Sequence, residues 1–81
     1  MLKARLQEIE IYRKTDKGTV QYLFEAFAYS DRDFQIRSIK KSTPKFPDAD
    51  RDEDFIVEMI DEDKVSGGVM DEFIRTLFKD E

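Results

Sequence analysis

The chain predicts a small α+β domain, a three-stranded antiparallel meander followed by two C-terminal helices packed on one face, in the order β-β-β-α-α. Three observations carry that expectation. Residues 19–29 are apolar in both strand phases, with Val20, Tyr22, Phe24, Ala26 and Ala28 in one and Leu23, Phe27 and Tyr29 in the other. Thr15-Asp16-Lys17-Gly18, just before them, is a hairpin signal. Near the C-terminus Val69, Met70, Phe73, Ile74, Leu77 and Phe78 recur with helical period.

A strand that is apolar front and back needs cover on both sides, which makes residues 19–29 the middle strand. Upstream, Leu2, Leu6 and Ile9 have helical spacing, but Glu8-Ile9-Glu10-Ile11-Tyr12 alternates, and the hairpin requires a strand here. Ala4 and Leu6 fall in the opposite phase to Ile9 and Ile11, so a bulge is expected near Gln7-Glu8. A three-residue loop with Gly18 in the left-handed position sets Thr15 opposite Thr19, Tyr12 opposite Tyr22 and Ile11 opposite Leu23. After the polar turn Ser30-Asp31-Arg32-Asp33, residues 34–41 form the third strand, with Phe34 and Ile36 inward and Gln35 and Arg37 outward.

Pro44 and Pro47 bar regular pairing and mark a linker, with Phe46 between them as an anchor to the core. Phe55, Ile56, Met59 and Ile60 make a helical stripe behind carboxylates that favour a helix N-terminus. A strand over 54–60 is the alternative, because Asp61-Glu62-Asp63 makes a poor helix end. Ser66-Gly67-Gly68 separates this segment from the last helix. The 81 residues are read as one domain, with a sheet over 2–41, a linker over 42–50 and a helical cover over 51–80. The two helices roof one side of the sheet and leave the other to a second copy of the chain.

Composition narrows the function. The chain has no Cys and no His, so the common general base, the thiol nucleophile and the usual zinc ligands are missing. No glycine-rich phosphate loop is present, and no constellation of catalytic roles can be assembled; the chain is read as non-enzymatic, with no cofactor. Asp50, Asp52, Asp54, Glu58 and Asp61 echo the spacing of a calcium loop. Phe55 stands where the sharp turn needs glycine, so no metal ligand is assigned. No apolar run suits a membrane span or a signal peptide, and a cytoplasmic location is expected.

Charge is the stronger signal. Net charge is −5, yet residues 1–47 hold ten Lys/Arg against six Asp/Glu, while residues 48–81 hold four against thirteen. Such asymmetry suggests internal complementarity or a charged face aimed at a partner. The expected function is a protein-interaction module, a small homodimeric regulator or inhibitor that binds a protein partner through an acidic surface. Leu23, Phe27 and Tyr29 are the candidate self-association surface. Asp50, Asp52, Glu53, Asp54, Glu58, Asp61, Glu62 and Asp63 are the candidate partner surface, displayed on one helical face as a mimic of nucleic-acid phosphates toward a basic, nucleic-acid-handling protein. The alternative is a nucleic-acid binder using Arg13, Lys14, Lys17, Arg37, Lys40 and Lys41 on the basic N-terminal sheet.

Overall fold

The structure, a computed structural model, describes residues 3–79. Leu2 and Asp80, the outer ends of the predicted sheet and cover, lie outside them. The chain forms β1 (Ala4–Thr15), β2 (Gly18–Tyr29), β3 (Phe34–Pro44), β4 (Phe55–Met59) and one helix, α1 (Gly67–Leu77), with short 3₁₀ turns at Asp52–Asp54 and Glu62–Lys64. The four strands make one antiparallel sheet in the order β1-β2-β3-β4.

The first correction is therefore to the fold class: the described residues form four strands and one helix, not three strands and two helices. Residues 55–59 pair with Lys40–Pro44 of β3, with Pro44 opposite Phe55, Ser42 opposite Val57 and Lys40 opposite Met59. The run Phe55-Ile56-Val57 suits a pleated surface, and the acidic residues that follow would oppose the negative end of a helix. β3 correspondingly runs past the predicted sheet boundary to Pro44, whose missing amide hydrogen is tolerated at the strand's last position. Pro44 is buried, whereas Phe46, the predicted anchor, is 44% exposed. The connection is held by backbone and carboxylate instead. The Lys45 amide donates to the Asp54 carbonyl at 2.9 Å, and the Asp54 carboxylate accepts from the amides of Arg51 and Asp50 at 3.3 and 3.5 Å.

The register of the first hairpin also differs. Thr15 pairs with Gly18 across a two-residue turn, so Ile11 faces Tyr22 and Tyr12 faces Gln21. The Thr15 hydroxyl fixes this tight turn, donating to the Gly18 carbonyl at 2.7 Å and accepting from the Lys17 amide at 3.2 Å. Gly18 has φ +119°, and a Cβ there would meet Cγ of Pro44 at 3.0 Å, so both backbone and packing select glycine. The bulge predicted at Gln7-Glu8 is absent, because β1 pairs with β2 without a shift. The phase change that suggested it means that Leu6 lies opposite Phe27 on one face while Ile9 and Ile11 turn to the other.

The irregularity sits in β3. Glu25 faces Ser38 and Ala26 faces Ile36, leaving Arg37 as an extra residue. That bulge lets Phe34, Ile36 and Ile39 all point to the same side despite their mixed phase.

On that side α1 closes the core. Ser66 caps the helix, its hydroxyl accepting from the Val69 amide at 3.4 Å. Val69, Phe73 and Leu77 form its buried stripe against Ile9, Ile11, Phe24, Ala26, Ala28 and Ile39. The Phe73 ring stacks on Phe24 with centroids 4.3 Å apart, and Phe34 meets it edge-on at 5.8 Å. No polar or charged side chain is buried among the described residues. Phe24 and Phe73 have no exposed surface. Phe73→Ala should therefore cost about 3–5 kcal/mol, most of the stability of so small a domain, read as a lower midpoint or loss of the transition in urea unfolding.

Candidate functional site

The alternation of β2 sorts its side chains onto two unlike surfaces. Val20, Phe24, Ala26 and Ala28 are buried, the last three in the cluster beneath α1. Leu23, Phe27 and Tyr29 face the opposite side, where no element of the described chain covers the sheet, and their neighbours leave them half-buried. The strand registers add Leu6 and Tyr12 from β1 and Phe55, Val57 and Met59 from β4 to this open face. Leu6 is 47% exposed, Tyr12 53% and Met59 64%.

The open face is not purely apolar. Glu8 of β1 lies directly opposite Glu25 of β2, and Glu10 lies opposite Leu23. Two carboxylates facing each other across a strand pair are mutually unfavourable. The Ser38 hydroxyl donates to Glu25 at 3.1 Å and Lys40 lies in the next row, opposite Leu23. A shallow hollow of about 480 Å³ crosses all four strands here, lined by Glu10, Leu23, Lys40, Phe55 and Val57, with Asp52 at its rim. Glu8, Glu10, Glu25 and Asp52 set against Lys14 and Lys40 leave the surface net acidic. Tyr12 donates its hydroxyl proton to Glu10 at 2.6 Å. That hydrogen bond, with a little desolvation and the carboxylate's charge, raises the Tyr12 pKa above its ordinary value.

The predicted self-association residues Leu23, Phe27 and Tyr29 thus share one face, with Glu25 in the row between Leu23 and Phe27 and with further apolar residues from β1 and β4. The favoured helical stripe of Phe55, Ile56, Met59 and Ile60 hides the contribution of β4, whereas the alternative, a strand over 54–60, is what places Phe55, Val57 and Met59 on this face.

The acidic run is not presented as one helical face. Asp50, Asp52, Glu53 and Asp54 lie in the loop and 3₁₀ turn before β4, Glu58 lies within β4, and Asp61, Glu62 and Asp63 lie in and beside the second 3₁₀ turn. Asp52 reaches the open-face hollow, whereas Glu58 and Asp61 line a separate recess with Lys41 and Lys64. Asp54 is engaged by the amides described above. Among the described residues no group of three or more acidic side chains is placed to hold a metal ion.

The basic set is likewise divided. Arg13 turns to the helix side, where it pairs with Glu72 at 2.6 Å and donates to the Gly68 carbonyl at 3.3 Å. Lys41 lies over the Tyr22 ring at 5.7 Å on that same side. Lys14 and Lys40 belong to the open face, Lys17 to the first turn and Arg37 to the bulge. No continuous basic track joins them.

No family model, curated protein or solved structure compared with the chain matches it. Among the described residues no helix is long and apolar enough to cross a membrane.

The electrostatics of the open face can be tested at Tyr12. Replacing Glu10 by Ala removes both the acceptor and the charge, so the phenol pKa should fall back toward its ordinary value, followed by ultraviolet or NMR titration.

Proposed function

We propose that this chain is a non-catalytic protein-binding module whose contact surface is the open face of its sheet. The observation that carries the proposal is the asymmetry of the sheet. One face is closed by Val69, Phe73 and Leu77 of α1, and the other leaves apolar side chains in two groups, Leu6, Phe27 and Tyr29 toward one end and Leu23, Phe55, Val57 and Met59 toward the other, with Glu8, Glu25 and Ser38 in the row between. Apolar side chains interleaved with charges on an uncovered face have the make-up of a protein-binding surface.

The occupant it fits is a protein segment that sets basic side chains among apolar ones. The acidic surplus of Glu8, Glu10, Glu25 and Asp52 disfavours an identical face and favours one of opposite sign. The inhibitor-like reading of the acidic sequence is thereby kept, but its carboxylates come mainly from β1 and β2, with Asp52 as the single contribution of the acidic run to the hollow.

A synthetic peptide alternating Lys and Leu is the probe. Titrated into isotopically labelled protein, it should shift the amides of Leu23, Phe27 and Val57 and bind less tightly as salt rises. Glu25→Lys should weaken it about tenfold, the scale of reversing one interfacial charge. Phe27→Asp should fold, because its side chain lies outside the core, and should also bind weakly. Shifts confined to the α1 side, or undiminished affinity in Glu25→Lys, would overturn the proposal. A single-stranded oligonucleotide that displaces the peptide with a steep salt dependence would favour the nucleic-acid reading instead.

A further inference from the structure

The two outer strands are guarded very differently. β4 is five residues long and flanked by carboxylates, the short, charged form in which soluble sheets keep an edge from recruiting other chains. β1 is twelve residues long, contains no proline and pairs with β2 without a bulge. Among the described residues no strand lies beside its other side. α1 lies closest to β1, beginning at Arg13 through Glu72 and Gly68 and ending with Phe78 against Phe34, but it packs on the face of the sheet beside Ile9 and Ile11. No backbone hydrogen bond joins it to the outer edge of β1 among the described residues.

We infer that the outer side of β1 pairs antiparallel with β1 of a second copy of this chain, about a two-fold axis at Ile11, joining two four-stranded sheets into one. Charge selects both the partner and the register. Around a two-fold axis normal to the sheet, cross-strand partners share a face and their numbers add to twice that of the central residue. Centred on Glu8 or Glu10, the pairing sets that glutamate against itself. Centred on Ile9 it sets Glu8 against Glu10 and Arg5 against Arg13, and centred on Arg13 it sets that arginine against itself. Centred on Gln7 it gives neither glutamate a cation.

Centred on Ile11, Glu8 of each copy lies opposite Lys14 of the other, and Glu10 lies opposite Tyr12. The Tyr12 hydroxyl already donates to a Glu10 carboxylate within its own chain and is suited to do so across the axis. A centre at Tyr12 pairs Glu10 with Lys14 but engages a shorter stretch and leaves Glu8 outside. The Ile11 register is thus the longest that avoids every like-charge pair and gives both glutamates a partner. The two helix starts, each over its own Arg13, then stand on opposite sides of the axis, and the open faces stay clear beyond the β1 residues Glu8, Glu10, Tyr12 and Lys14 that meet at the seam.

Sedimentation of the full chain tests this. The wild type should dimerise, and Glu8→Lys or Lys14→Glu should each raise the dissociation constant about tenfold, since each turns two attractive pairs into repulsive ones. The double swap, Glu8→Lys with Lys14→Glu, should restore wild-type association. Both side chains are exposed, so the variants should keep the wild-type far-ultraviolet spectrum; Lys14→Gln, which only removes the attraction, should weaken the dimer less. A monomer at every soluble concentration would overturn the inference. So would a dimer indifferent to the single changes, a double swap as weak as its parents, or a dimer abolished by Phe27→Asp, which would place the contact on the open face.

Discussion

A sheet with two apolar faces and a single helix to cover them sets the terms for everything else in this protein. The stack of Phe73 on Phe24 decides which face is closed, and it does so with the largest side chains available, in a chain too short to build a second layer. Once α1 is seated there, Ile9, Ile11 and Ile39 are enclosed and the reverse face keeps Leu23, Phe27 and Tyr29 at the surface. The bulge at Arg37 serves the same end, because without it Phe34 and Ile36 could not share a side with Ile39.

Much of this was legible in the sequence. Two-sided apolarity located β2, and the i, i+4, i+8 stripe of Val69, Phe73 and Leu77 located α1. What was not legible depended on pairing rather than on local pattern. The short apolar run at 55–59 fits a helical stripe or a strand, because a run of this length has no decisive period, and only the free side of β3 at Lys40–Pro44 decides between them. The first hairpin was one residue out because Thr15 can close a two-residue turn with its own hydroxyl. That single step moved Tyr12 from the core phase to the open face and so changed the composition of the candidate site. The acidic run could be counted but not arranged, since loop, turn and strand scatter it in several directions.

The opposed charge of the two halves also finds a physical use within the chain. Arg13 from the basic half pairs with Glu72 from the acidic half, and Lys41 stands directly opposite Glu58 in the β3–β4 ladder. Both placements are at the surface, where opposite charges add little stability. They bear instead on specificity, by favouring one way of seating the C-terminal half on the N-terminal sheet. The carboxylates of the open face, Glu8, Glu10 and Glu25, join no such pair between the two halves of the chain; Glu10 and Glu25 accept from the Tyr12 and Ser38 hydroxyls within the sheet.

The meander has a consequence for how the chain reaches this state. Each strand lies beside its sequence neighbour, so the whole sheet can assemble by successive hairpins with short loops to close. Only α1 must reach back across the chain, where Arg13 and Gly68 are joined at a separation of fifty-five residues. Closing that long loop is the costliest ordering step the topology asks for, and it is Phe73 settling on Phe24 that dries one greasy side of the sheet while the other stays wet.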